Sequence, residues 1–266
     1  MTISDQQLQR YARNIILEEV GEEGQEKLLG ARVLVVGAGG LGAPVLLYLA
    51  AAGVGNLVVV DDDEVDITNL QRQIVHATDR LGMAKTESAA RTLRALNPEV
   101  CVEARRLRLG AENVTALLEG CDLVVDGSDN FRTRYLLNDA CYFARIPLVS
   151  AALLRFDGQI ATFKAYQDGD HPCYRCLFPA PPPADFIPRC EEAGILGAVA
   201  GAVGSLQAVE ALKELLGLGE SLSGSLLLYD GLSATFRKLR VHRAADCALC
   251  GAAPSLTTLA HHHAAA

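Results

Sequence analysis

From residue 32 onward, short unbroken apolar runs alternate with stretches in which apolar positions recur every three or four residues. Runs at 32–36, 56–60, 100–104, 123–125 and 148–149 predict strands, the first of them buried. Helical spacing at 41–52, 85–96 and 132–144 predicts a helix between successive strands, and Ser4 is placed to cap an earlier helix running to about Glu19. Strand and helix in alternation predict an α/β fold: a Rossmann-like, doubly wound, mainly parallel sheet. After Ser150 the pattern changes. Residues 158–164, 226–229 and 234–239 alternate in polarity, as antiparallel strands extending the same sheet would. Between the first two lie a proline-rich loop, 179–188, and a long helix, 196–216, in which Gly197 and Gly201 predict close approach by a neighbour.

Composition narrows the class. The chain has 266 residues, half of them apolar, and a formal net charge of −8. That is enough to bury a large core in one domain. The acidic balance argues against general binding to nucleic acid or an anionic membrane. With no leader or membrane span in the pattern, a cytoplasmic protein with reduced thiols is expected.

Three features carry chemistry. Gly37, Gly39, Gly40 and Gly42 stand between a strand and a helix, where backbone N–H groups can meet phosphates, and Asp61 ends the next strand, positioned for a ribose. This alone suits NAD as well as ATP. Asn69, Arg72 and Gln73, followed by Lys85, supply the cations and amides that a triphosphate needs and a dinucleotide does not. Asp129 and Asn130 follow the fourth strand, where a carboxylate can hold Mg2+ beside the phosphates, or one of the two can cap the next helix. The third feature is two Cys-x-x-Cys pairs, Cys173 with Cys176 and Cys247 with Cys250. Four thiolates make a closed, structural Zn2+ site tying the end of the chain to its middle. Cys101, Cys121 and Cys141 read as small core residues.

The order of these pieces resembles the MoeB/ThiF/HesA family, bacterial relatives of the ubiquitin-activating enzymes. The match runs from Arg10-Tyr11-Ala12-Arg13-Asn14 through the glycine loop, Gly53-Val54-Gly55-Asn56-Leu57, Asn69 to Gln73, Asp126 to Asn130, Gly158-Gln159-Ile160, Cys190-Glu191-Glu192 and Gly204-Ser205-Leu206-Gln207 to the last cysteine pair. The resemblance implies ATP-dependent adenylation of the C-terminal Gly-Gly carboxylate of a ubiquitin-like sulfur-carrier protein. It implies a nucleotide site formed by Gly40, Asp61, Thr68, Asn69, Leu70, Gln71, Arg72, Gln73, Lys85, Asp129 and Asn130. Arg72 and Lys85 then face the phosphates and Asp129 holds Mg2+. Arg13 reaches the partner's site in a homodimer, and Cys190 is a candidate for a covalent link to the carrier. Residues 1–254 read as one adenylation domain, its nucleotide-binding half 1–150 and its carrier-binding and zinc half 151–254. Residues 255–266 are expected to be a disordered tail, leaving no room for a sulfurtransferase domain. Sulfur then comes from a separate cysteine desulfurase or sulfurtransferase, in molybdopterin, thiamine or tRNA thiouridine synthesis. The rival readings are an NAD-dependent oxidoreductase, which leaves Arg72, Lys85 and the cysteine pairs unexplained, and a non-catalytic carrier-binding scaffold.

Overall fold

Arg32–Val36 (β1) is the hub of the sheet. In the computed structural model, which describes residues 3–181 and 194–265, β1 pairs in parallel with Asn56–Asp61 (β2) on one side and Leu123–Asp126 (β4) on the other. Cys101–Arg106 (β3) joins β2, and Leu148–Leu154 (β5) joins β4, again in parallel. Asp157–Phe163 (β6), Ser225–Asp230 (β7) and Thr235–Arg240 (β8) then add antiparallel. The eight strands run β3-β2-β1-β4-β5-β6-β7-β8 in one sheet, the doubly wound core and antiparallel extension read from the pattern. β5 is longer than the expected two residues because β6 pairs with it from Leu148↔Phe163 to Leu154↔Asp157.

The inner parallel strands β1, β2 and β4 are buried on both faces because each face carries helices, whereas the outer strand β3 is largely exposed or half-buried. Val33, Val35, Leu57, Val59, Leu123 and Val125 face one core, with Gly21–Gly30 (α3), Gly42–Ala52 (α4), Lys85–Leu96 (α5) and Gly197–Leu216 (α9). Leu34, Val36, Val58, Val60 and Val124 face the other, with Val114–Leu118 (α6), Phe131–Ala144 (α7) and Tyr174–Leu177 (α8). Each fully buried Leu or Val contributes roughly 1.5–3 kcal/mol of transfer free energy. The long helix α9 is fastened by polar groups too: buried Gln207 donates from Nε2 to the carbonyls of Asp126 (2.7 Å) and Val149 (3.1 Å), clamping β4 to β5.

Four details depart from the sequence reading. The first helix is two: Asp5–Arg10 (α1), with the Ser4–Gln7 capping box, and Ala12–Ile15 (α2). They break at Tyr11, whose ring is buried so tightly over Gly53 that a Cβ there would lie 2.6 Å from it, while its hydroxyl accepts from Asn97 Nδ2 at 2.8 Å. Close approach to α9 is made at Gly197, as expected, and at Gly204, where a Cβ would fall 2.4 Å from Pro44 Cγ, but not at Gly201, which has open space. Cys101 is exposed at the start of the outer strand β3, whereas Cys121 and Cys141 are buried as expected. The tail is not disordered through its described part: Ala260–Ala265 forms a 3-10 turn, and His261 and His262 reach Asp139 in α7.

Candidate functional site

Because β1 has helix crossovers leaving to both sides, a crevice opens at the carboxyl ends of β1, β2 and β4, where such sheets bind ligands. It is a cleft of about 910 Å³. Its floor is the glycine turn between β1 and α4. Gly37 takes a positive φ of 94°, and a Cβ on Gly42 would lie 1.8 Å from the Gly37 carbonyl oxygen, so this turn closes only with glycine at both places.

Asp61 organises the turn. Its Oδ2 accepts from Ala38 N at 2.8 Å and its Oδ1 from Asp63 N at 2.9 Å. Burial pushes its carboxyl above the ordinary value, against the pull of Lys85 and these two N–H groups. Each oxygen keeps a second lone pair for a ligand hydroxyl. Lys85 opens α5 and is almost buried; its Nζ lies 2.8 Å from Asp63 Oδ2. Arg72 lines the same wall beside Gly40, its Nη1 donating to Thr68 O at 3.0 Å. Buried Gln73 leaves its Oε1 without a protein donor. Opposite them, Asn130 caps α7 through Oδ1 to Thr133 N at 2.9 Å, leaving Asp129 exposed on the cleft wall. Of the pair, Asn130 is the member that caps the helix.

The cleft brings together Gly40, Asp61, Arg72, Gln73, Lys85, Asp129 and Asn130. It does not bring in the rest of the expected set. Thr68, Asn69, Leu70 and Gln71 lie on the loop that presents Arg72, and Gln71 packs instead on Gly197, where a Cβ would meet its carbonyl at 2.1 Å. Arg13 is exposed on α2, away from the cleft of its own chain. Cys190 and most of the proline-rich loop lie outside the described residues.

Two contributors escaped the sequence reading. Arg134, one turn after the Asn130 cap, is buried in the cleft wall, donates to Ser128 O at 2.9 Å and leaves Nε unpaired. His76 is buried behind the glycine turn, with Nε2 2.9 Å from Ala38 O and Nδ1 2.9 Å from Ser88 Oγ. Burial lowers its pKa to about 4, so it stays neutral, donating to the turn and accepting from the serine. The spacing from Asn130 to Arg134 was visible; nothing in the sequence pairs His76 with Ala38.

Across the sheet, the Cys173, Cys176, Cys247 and Cys250 sulfurs converge. Cys173 Sγ is 3.8 Å from Cys176 Sγ and 3.5 Å from Cys247 Sγ, and Cys176 Sγ is 3.4 Å from Cys250 Sγ. A tetrahedron with Zn–S bonds of about 2.3 Å has edges of roughly 3.8 Å, so the four donors fit Zn2+ with slight expansion. The Ala244 N–H points at Cys176 Sγ from 3.4 Å, and Arg243 braces the Cys250 carbonyl, as supports for a charged thiolate centre.

The ThiF family model matches residues 11–250. The chain belongs to the ThiF family. It is 53% identical over 94% of its length to the SAMP-activating enzyme E1 of Haloferax volcanii, covering 92% of that protein. It is 52% identical over 99% of its length to the sulfur carrier protein adenylyltransferase of Thermus thermophilus, covering 98% of it. Its fold matches a solved structure of E. coli MccB with ATP at a TM-score of 0.74, with 25% identity over 91% of this chain and 73% of that one. No helix among the described residues of this ThiF-family chain is long and apolar enough to cross a membrane.

Proposed function

We propose that the chain is an adenylyltransferase that uses MgATP to activate the C-terminal Gly-Gly carboxylate of a ubiquitin-like sulfur-carrier protein. The observation that carries the reading is the cleft itself. Arg72 and Lys85 line a glycine turn opposite Asp129, and the cleft continues past Phe131 to Gly158 and Gln159 on β6, long enough for a nucleotide and the end of an extended peptide. The names of the two close relatives support the same substrate class. No specific observation favours the oxidoreductase or the inert scaffold.

The carrier's carboxylate oxygen attacks the α-phosphorus of ATP, the bond to the bridging oxygen breaks, and pyrophosphate leaves with the electron pair. The nucleophile is already ionised at neutral pH, so no general base is needed. Charge grows on the α-phosphate and on the leaving group, and fixed cations there lower the barrier. Lys85 and Arg72 supply them, Asp61 takes the ribose hydroxyls, and Asp129 would hold Mg2+, which would add positive charge beside the phosphates. Thr68, Asn69, Leu70 and Gln71, on the loop that presents Arg72, complete the nucleotide site in this reading. Arg13 completes the site of a second copy in a homodimer. A covalent link at Cys190 would follow adenylation. Sulfur reaches the carrier from a separate donor protein. The test is intact-mass analysis of a Gly-Gly-ended carrier incubated with the chain, ATP and Mg2+: an AMP adduct is expected, abolished by Asp129→Ala. An unmodified carrier, or an adduct unaffected by Asp129→Ala, would contradict the substrate or the metal assignment respectively.

A further inference from the structure

One cation of the cleft is buried without a counter-charge. Arg134, on α7, is 8% exposed. Among the described residues its guanidinium makes a single hydrogen bond, Nη2 to Ser128 O at 2.9 Å, lies 5.7 Å from the centre of the Phe131 ring and joins no ion pair. Its Nε is sealed from water with no acceptor, and its Nη1 has no protein acceptor either. The other cations that line the cleft differ. Lys85 is paired with Asp63, Arg72 is half-buried, and Arg108 and Arg132 are exposed, where water satisfies them.

The neighbours of Arg134 do not supply the missing charge. Asp126 is buried nearby, but its oxygens are taken by Ser128 N and Oγ at 3.0 and 2.6 Å and by Ser150 Oγ at 2.8 Å, and it makes no ion pair with the arginine. The Tyr174 hydroxyl lies near enough to feel Arg134 but makes no hydrogen bond with it. Burial raises the pKa of that hydroxyl against the pull of Arg134, so it stays a neutral phenol. A buried guanidinium without a counter-ion is costly, and one set in a cleft wall points to an anionic ligand.

Its place in the sheet selects the anion. Arg72 and Lys85 stand on the side of β1 and β2. Arg134 is held to the turn after β4, and from there the cleft lining runs to Gly158 and Gln159 on β6, where the peptide enters in the proposed reaction. That reaction sets a carboxylate against a triphosphate, anion against anion, and the nucleophile needs a fixed cation of its own. A guanidinium oriented by the Ser128 carbonyl, with N–H groups still unspent, suits a carboxylate. We infer, on the adenylation reading above, that Arg134 binds the C-terminal carboxylate of the carrier and orients it for attack, across the cleft from the cations that take the phosphates.

The test takes a carrier that gives the AMP adduct, prepared with its terminal glycine as the free carboxylate or as the carboxamide. Each form is titrated calorimetrically into the full chain loaded with Mg2+ and a non-hydrolysable ATP analogue. The parent chain should prefer the carboxylate by about tenfold or more. Arg134→Gln should abolish that preference, Arg134→Lys should keep part of it, and neither should change the affinity for the analogue alone by more than about threefold. No preference in the parent, or one that survives in Arg134→Gln, overturns the assignment. An equal loss of affinity for the analogue moves Arg134 to the phosphates and overturns it as well. Replacing an unpaired buried cation by glutamine should leave the melting temperature unchanged or raise it; a fall of about 10 °C or more means that the fold itself satisfies the guanidinium, and removes the premise. Failure of every carrier to form the adduct with the parent chain is a separate result, which strikes the substrate reading and this assignment with it.

Discussion

Lys85→Met separates catalysis from stability. The lysine stem is packed at the start of α5 and its side chain is 7% exposed, whereas its partner Asp63 is 66% exposed. An ion pair with one partner in water contributes about 0–1 kcal/mol. Methionine keeps the buried stem, and the Asp63 carboxylate left behind stays solvated. The melting temperature should therefore fall by no more than about 2–4 °C for a domain of this size. Adenylation is different. In the proposed reaction the ammonium faces the leaving pyrophosphate, and removing one preorganised charge-stabilising group from a transition state costs roughly 10²–10³ in rate, about 2.7–4 kcal/mol. Pyrophosphate release with saturating carrier and ATP, measured beside a thermal melt, gives both numbers. Activity above about a tenth of the parent's would remove Lys85 from the phosphate site. An activity loss accompanied by a melting shift of about 10 °C or more would mean that the effect is structural.

Mixing Arg13→Ala with Lys85→Met chains should restore about a quarter of parental activity through mixed dimers, each with one intact composite site; no recovery on subunit exchange refutes a role for Arg13 across the dimer. His76 has its pKa lowered by burial from 6.5 to about 4, so the unfolded chain binds more protons between those values and stability falls as pH drops through that window, by up to about 3 kcal/mol. Denaturant melts at pH 7 and pH 5 should show that slope, and His76→Gln should flatten it. Gly201→Ala should stabilise α9 by about 0.5–1 kcal/mol, since the site is open, whereas Gly204→Ala should cost about 1–3 kcal/mol through collision with Pro44 and the Leu41 carbonyl; equal melting temperatures would contradict the packing of α9 on α4. Cys173→Ser with Cys247→Ser should lose the tightly held zinc and lower the melting temperature sharply, because metal bound only by the native state is folding free energy; an unchanged melt would make the cysteine centre dispensable.

Where local chemistry dictates structure, the chain was readable. The strands that feed the cleft are uninterrupted apolar runs, the glycine turn tolerates nothing larger at Gly42, and the cysteine pairs carry their geometry in their spacing. What escaped depends on contacts made over long separations. Tyr11 breaks a helix that its own neighbours favour because Gly53 and Asn97 offer a pocket for its ring. His76 looked like any loop histidine until the fold set it behind Ala38. The tail, short and rich in alanine and histidine, has no periodicity to announce that it docks, and only the position of Asp139 in α7 gives it a partner. The loop from Thr68 to Gln71 followed the family pattern in order, yet in the single chain it stands beside the cleft and not in its wall.

The account rests on reversible attack by a carrier carboxylate on the α-phosphorus of ATP. Exchange of radiolabelled pyrophosphate into ATP, with Gly-Gly-ended carriers tested intact and with the terminal glycine deleted, measures that step alone. Exchange that appears with an intact carrier and vanishes on deleting the glycine is the predicted result. Exchange without any carrier, or none with any carrier in zinc-loaded protein supplied with Mg2+, would contradict it.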